Sequence, residues 1–239
     1  MSSLSPPPKP RRFYKEAQAL PTPDGYAIQL DGRQAKTSGG HALVVPKRAL
    51  ADLVVAEWAA QGDALDWATM TATRFAYMAI EAGPAGRVRA VETVLGYAAS
   101  DLVCYFATHP ESLVARQTDV WGGLLDWALA AHRLAFVRAT GVIHQGQPPE
   151  TLERLEAILG QADDFTLTGL AFGAPLFGSA VLTLALAHGH VDAKAATAAA
   201  RLDETFQEEL WGVDPESAKR ARALANDAAA LEHWFRALA

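Results

Sequence analysis

G-Y-A-I-Q-L-D-G-R-Q-A-K-T, residues 25–37, decides how the chain begins to fold. Tyr26, Ile28 and Leu30 alternate with small or polar residues, which is the period of a strand with one buried face. Asp31-Gly32 then supplies the dipeptide best suited to the positive φ angles of a two-residue hairpin turn, so 33–37 is expected to return antiparallel. Ser38-Gly39-Gly40 offers a second turn, and 41–45 reads as a third strand ended by Pro46. The expectation is a small antiparallel meander.

Downstream of Pro46, a good first helical residue, the period changes to that of a helix: Leu50, Leu53, Val54, Trp58 and Gln61 fall on one side. A meander cannot cover its own apolar face, so this helix is expected to pack on it. A second helix is predicted over 71–82, and Gly83-Pro84-Ala85-Gly86 is the strongest breaker in the chain, hence a candidate domain boundary. Beyond it the sequence is rich in Ala and Leu. Helices are predicted over 87–99, 110–134, 149–159, 176–187, 192–211 and 215–238, with 135–144 as a short strand pair or extended link. The fold class is therefore α+β, a small N-terminal antiparallel β-meander with helices (11–84) followed by a larger, mainly α-helical domain (85–239). Residues 1–10, M-S-S-L-S-P-P-P-K-P, are expected to form a disordered tail, since they hold no apolar run for a secretory signal and their prolines prevent a helix.

The 239 residues are half apolar and one-fifth charged, as in a globular protein able to bury a core. A net charge of −6 repels phosphate backbones and argues against nucleic-acid binding. The single cysteine, Cys104, excludes an internal disulfide and any multi-cysteine metal site, and its apolar neighbours suit a buried small hydrophobe. Residues 165–187 carry no charge and are long enough to span a bilayer, but Gly169, Gly173, Pro175 and Gly178 interrupt them. A buried central helix entered through Pro175 is expected, with glycines that let neighbouring helices come close.

Searching for chemistry yields little. No phosphate-binding glycine loop and no nucleophile elbow is present. His188 and His190 lack further ligands at metal-binding spacing and suit a polar turn around Gly189. Asp163-Asp164 invites an acid–base reading, but a helix cap explains the pair more simply. The local chemistry does not describe an enzyme, and no cofactor or metal is expected.

Three clusters remain. Arg12-Phe13-Tyr14-Lys15 sets aromatics among cations: either a first strand docks on the sheet through Phe13, or the group anchors the N-terminus or touches a partner. Glu57, Trp58 and Gln61 put a large aromatic on the buried side of the first helix, with the two polar residues at i, i+4. The third, L-D-E-T-F-Q-E-E-L-W-G (residues 202–212), sets Leu202, Phe206 and Leu210 on one apolar stripe and leaves Asp203, Glu204, Glu208 and Glu209 projecting elsewhere. Acids near the carbonyl end of a helix oppose its dipole, which favours cations there by about 0.3–1 kcal/mol. Trp211 shares a face with Asp203 and Gln207, and an aromatic bordered by acids suits a protein interface.

Taken in order, R-R-F-Y-K (11–15), Y-A-I-Q-L-D-G-R (26–33), L-V-V-P-K-R-A-L (43–50), E-W-A-A-Q-G (57–62), S-D-L-V-C-Y (100–105), W-G-G-L-L-D-W-A (121–128) and R-L-D-E-T-F-Q-E-E-L-W-G (201–212) resemble the ATP-twelve family of assembly chaperones for the alpha subunit of the F-one sector of ATP synthase. The resemblance implies a mixed β domain followed by a helical one. It also implies an ATP-independent role: holding free alpha subunit and shielding the surface that the beta subunit later covers. Glu204, Glu208 and Trp211, with Asp203 and Gln207, are the first candidates for partner contact. Glu57, Trp58, Gln61, Phe13 and Tyr14 are the second, as contacts or as structural residues. A monomer in a bacterial cytoplasm is expected, or in a mitochondrial matrix if the source is eukaryotic. The alternative from another class is a small-molecule enzyme with a pocket between the two domains, for which Asp101, Asp163, Asp164 and His188 are the only titratable candidates.

Overall fold

Four short strands form the first sheet: β1 (Ala17–Thr22), β2 (Gly25–Leu30), β3 (Arg33–Gln34) and β4 (Val44–Val45). This is a computed structural model, and it describes residues 9–141 and 145–239. Asp31 (φ 48°) and Gly32 (φ 74°) make the expected turn between β2 and β3. The sheet is antiparallel, but β2 sits at its centre. β1 pairs with all of β2 on one side, while β3 and β4 share the other, with Leu30 opposite Arg33 and Tyr26 opposite Val45. The third strand is thus shorter than expected, and it lies beside β2 instead of following β3. The isolated Lys36–Ala42 bridge and a bond from the Gln34 side chain to the Leu43 carbonyl join the two segments that a plain meander would pair. Gly25 permits this closure, because a Cβ there would run into the Val45 carbonyl. β1 lies beyond the 12–15 segment expected to dock as a first strand. It is an edge strand with mostly exposed or half-buried side chains and a proline, so alternation gives it no signal.

Helix α1 (Arg48–Ala59) begins two residues after Pro46, with Lys47 at its N-cap, and packs on β1 and β2. Leu50, Ala51, Val54 and Trp58 form its buried face, opposite Ile28 and Leu30 of the sheet. A 3-10 turn (Trp67–Thr69), capped by Asp66, leads into α2 (Thr71–Glu81). The tail reading fails for its last two residues. Lys9 pairs with Asp66 at 2.6 Å, and the Pro10 carbonyl accepts from the Leu65 amide at 2.8 Å. Residues 1–8 lie outside the described ones.

The chain divides into two units, Met1–Glu81 with Leu238 and Ala82–Ala237 with Ala239. The second unit opens with α3 (Gly83–Ala99), whose first turn absorbs Pro84, so the breaker starts a helix rather than forming a linker. A 3-10 turn (Leu102–Cys104) and β5 (Tyr105–Phe106) precede α4 (Glu111–His132). β6 (Ala139–Thr140) pairs parallel with β5, placing one strand in the 135–144 link; residues 142–144 of that link lie outside the described ones.

Then follow α5 (Pro149–Gln161), α6 (Asp164–Phe177), α7 (Ala180–Ala187), α8 (Ala193–Ala200), α9 (Leu202–Trp211) and α10 (Pro215–Leu238). Two expectations change here. The helix predicted over 176–187 and entered through Pro175 starts instead at Ala180, where the Ser179 hydroxyl accepts from the Leu182 amide, while Pro175 lies in the last turn of α6, a helix without a counterpart among the predicted ones. The 192–211 stretch breaks at Arg201, where the chain leaves helical geometry.

The core of this unit is built on α3, α6 and α7, with Val94, Ala98, Leu167, Ala174, Val181 and Leu182 buried. The glycines of α6 act as the sequence suggests. A Cβ at Gly169 would lie 2.7 Å from the Phe235 ring, and one at Gly173 would overlap Thr183 and come within 2.9 Å of Leu231. Among the described residues no helix is long and apolar enough to cross a membrane. Because neither α7 nor α10 can retreat from a packed core, Gly173→Ala is expected to cost about 1–3 kcal/mol through overpacking, read as a lower urea midpoint with unchanged slope.

Candidate functional site

Helix α9 is held from three sides. Leu202 and Phe206 are buried, and the Arg116 guanidinium lies 5.4 Å from the Phe206 ring centroid. Arg116 also makes a bidentate pair with Glu209, both bonds at 2.9 Å, and the Gln117 amide donates to Asp203 at 2.7 Å. At the other side Glu208 accepts from Arg201 at 2.7 Å and from the Ser217 hydroxyl at 2.5 Å. The Ser217 bond and the Arg201 guanidinium hold the Glu208 carboxyl below its usual range, and Arg116 does the same for Glu209. The acids at the unfavourable end of α9 are therefore balanced by arginines of this chain. Asp203 and Glu208, both expected to meet a partner, are engaged internally.

Other side chains on α9 are not. Glu204 and Gln207 are exposed and make no hydrogen bond among the described residues. Glu204 lines a depression of about 540 Å³ together with Leu102, Leu176, Arg201 and Arg220. The apolar stripe runs out before the helix does: Leu210 is 61 % exposed, which corrects its assignment to the core. Trp211 is 76 % and Val213 61 % exposed, so three large apolar side chains stand together in solvent where α9 turns toward α10. Nothing in the period of the sequence separates Leu210 from Leu202 and Phe206. Only the position of Arg116, which closes the packed region over Phe206, does so.

In the first unit Glu57, Trp58 and Gln61 of the second candidate cluster are engaged in internal contacts. Glu57 accepts from the Ala72 and Thr73 amides and the Thr73 hydroxyl, each at 2.7 Å, and so caps the start of α2 from a distance. Burial pushes its carboxyl up against these bonds. Gln61 is buried, donates to the Glu57 carbonyl and Thr69, and accepts from the Asp66 amide. Trp58 is buried between Tyr14 and Trp67 in edge-on contacts at 5.4 and 5.9 Å. The Tyr14 hydroxyl donates to the Trp58 carbonyl at 2.6 Å. Docking of the N-terminal segment runs through Tyr14 and not through Phe13, which is 71 % exposed.

The residues proposed for acid–base work have ordinary duties. Asp101 is fully buried, with its carboxyl pushed up to about 6 by desolvation, and accepts from the Val103 and Val181 amides at 3.2 and 3.0 Å. Asp163 caps α6 through the Phe165 and Thr166 amides, and Asp164 pairs with Arg87 at 2.8 Å. Cys104 is buried, and burial pushes its thiol up, away from the reactive thiolate. His188 lies 4.5 Å from His132 between ring centroids, while His190 stacks on Trp127 at 4.8 Å. Among the described residues no group of three or more His, Cys, Asp or Glu side chains is placed to hold a metal ion.

Residues 11–129 match the family of the ATP12 chaperone protein. Over the whole fold the chain is similar to the crystal structure of Atp12 from Paracoccus denitrificans, with 34 % identity and a TM-score of 0.90 over 96 % of this chain and 99 % of that one. The chain belongs to the ATP12 chaperone family. An aspartate-to-lysine mutant of the P. denitrificans protein aligns equally well, with 33 % identity and a TM-score of 0.91 over 96 % of this chain and 98 % of that one. A candidate chaperone of Agrobacterium tumefaciens shares 37 % identity at a TM-score of 0.89, over 96 % of this chain and 87 % of that one. As a member of the ATP12 family the protein is an assembly chaperone of ATP synthase, and the end of α9 is where Leu210, Trp211 and Val213, close together in the chain, are all exposed.

Two outcomes follow for this ATP12-family chain. Glu208→Lys sets an ammonium group against Arg201 and Arg220, so it is expected to lower the unfolding temperature by a few degrees in calorimetry, whereas Glu204→Lys leaves it unchanged. Burial holds the His132 and His188 rings below their usual range, with the charges of His188 and Arg154 adding to the effect at His132. The unfolded chain protonates these rings first, near about pH 6.5, so their contribution to stability is present above that pH and is lost as pH falls through the folded values. Between about pH 7.5 and 5.5 the wild type should lose more of its urea midpoint than His188→Asn does.

Proposed function

We propose that this protein is an ATP-independent assembly chaperone that binds the free alpha subunit of the F-one sector of ATP synthase and shields its subunit interface until the beta subunit replaces it. Family membership and the solvent-facing Leu210, Trp211 and Val213 support this reading. An unassembled subunit exposes an apolar face that aggregates, and its holder needs a small apolar anchor with a polar rim in order to grip and still release. Trp211 supplies the anchor. Glu204 and Gln207, exposed on the same helix, supply the rim. Affinity is expected to concentrate on the tryptophan, with Glu204 acting mainly on orientation and association rate. The protein acts as a monomer in the bacterial cytoplasm, or in the mitochondrial matrix if the source is eukaryotic. The experiment is capture of purified alpha subunit by the immobilised chain, with purified beta subunit as the control. Alpha is retained and beta is not; Trp211→Ser weakens retention about tenfold or more, in line with loss of a central aromatic contact worth ~2 kcal/mol, while the variant unfolds at the wild-type temperature. Equal retention of both subunits, or an undiminished grip by Trp211→Ser, overturns the proposal.

A further inference from the structure

The segment around Phe13 is irregular, yet it is fastened at several points. The Arg12 guanidinium donates to the carbonyls of Tyr14, Lys15 and Gln61, and also lies 4.7 Å from the Tyr14 ring centroid. The Lys15 and Glu16 amides donate to the Asp31 carboxylate, and the Tyr14 hydroxyl to the Trp58 carbonyl. On this fastened segment the one large apolar side chain, Phe13, faces solvent, touching Tyr14 edge-on at 5.3 Å. Packing does not account for its position.

Phe13 forms one wall of a cavity of about 550 Å³ within the first unit. Tyr14 and Trp58 supply further aromatic lining, and Arg33, Gln34 and Lys36 of the β3 segment line it as well. The two cations are exposed and have no acid partner among the described residues. The only acid in the lining, Asp31, is turned to the Lys15 and Glu16 amides. An aromatic wall beside unpaired cations complements a ligand with an apolar side chain flanked by carboxylates. The cavity volume falls in the range that holds a small ligand or a few side chains.

The geometry points to a binding site in the first unit, formed by Phe13, Tyr14, Arg33 and Lys36, for an acidic, apolar-containing peptide segment of a partner protein. It is independent of what α9 holds, since all of its residues belong to the other unit. A segment of the form acid–apolar–acid would set its apolar side chain on Phe13 and its carboxylates against Arg33 and Lys36. The apolar contact gives affinity, and the charges select against basic sequences.

The test uses the full chain and a fluorescein-labelled peptide, acetyl-Glu-Leu-Glu-Phe-Glu-amide, followed by anisotropy. Saturable binding is expected, weakened about tenfold or more by R33E combined with K36E, weakened by F13S, and weakened when salt rises from about 50 to about 500 mM. The lysine counterpart of the peptide should not bind. The salt series needs no variant and stands even if the double variant fails to fold. Absence of saturable binding, equal binding of the lysine peptide, or salt-independent binding overturns the assignment. So does preferential binding of phosphatidylglycerol vesicles or a single-stranded oligonucleotide through the same two cations, which would make the site one for phosphates rather than peptide carboxylates.

Discussion

The missing side chains at Gly169 and Gly173 set the distance at which the helical unit packs. The two positions lie one turn apart on α6, so they present one bare face. Phe235 and Trp234 close on the first glycine, and Thr183 and Leu231 on the second. Contact that close leaves α7 almost no exposed side, and seven of its eight residues, Ala180 to Leu186, are buried. The same contact anchors the far end of α10, where the Trp234 indole donates to the Phe165 carbonyl at 3.1 Å. The near end of α10 carries Ser217, which fixes Glu208. The placement of α9 therefore follows, through one long helix, from two residues that have no side chain.

Several acids serve this fold as starting points for helices. Asp101 joins a 3-10 turn to the first turn of α7, Glu57 caps α2 from the neighbouring helix, and Asp163, Asp192 and Asp214 cap the helices that follow them. A buried carboxylate is costly unless its oxygens are satisfied, and amides at a helix start satisfy them while gaining a partner themselves. Glu204 stands out because its neighbours on α9 are occupied and it is not.

The order of elements was legible in the sequence wherever period and punctuation agreed. The Asp31-Gly32 hairpin, α1, α2 and α10 all carry a clear period with a marked start or end. Failures came where one signal stood alone. β1 is an edge strand without alternation. The breaks at Arg201 and at Gly178-Ser179 occur inside sequence that could continue as helix, and tertiary contacts decide them. For the candidate site, the period of α9 identified Leu202 and Phe206 but could not tell that Leu210 lies past the edge of the core. The acids looked surplus because their arginines, Arg116 and Arg201, come from a distant helix and from the preceding break. Charge balance across 93 residues, the separation of Arg116 and Glu209, is invisible to local reading.

The clamps on α9 bear on how a grip can be both selective and temporary. With Asp203, Glu208 and Glu209 already bonded, the end of the helix that carries Leu210 and Trp211 enters an encounter with few conformations left to lose. The entropic penalty of association then falls on the other molecule, and a modest apolar contact suffices for capture. A surface prepared in this way gains little further by tightening, so its residence time is set by the contact itself and stays short enough for a competitor with a larger face to win by mass action.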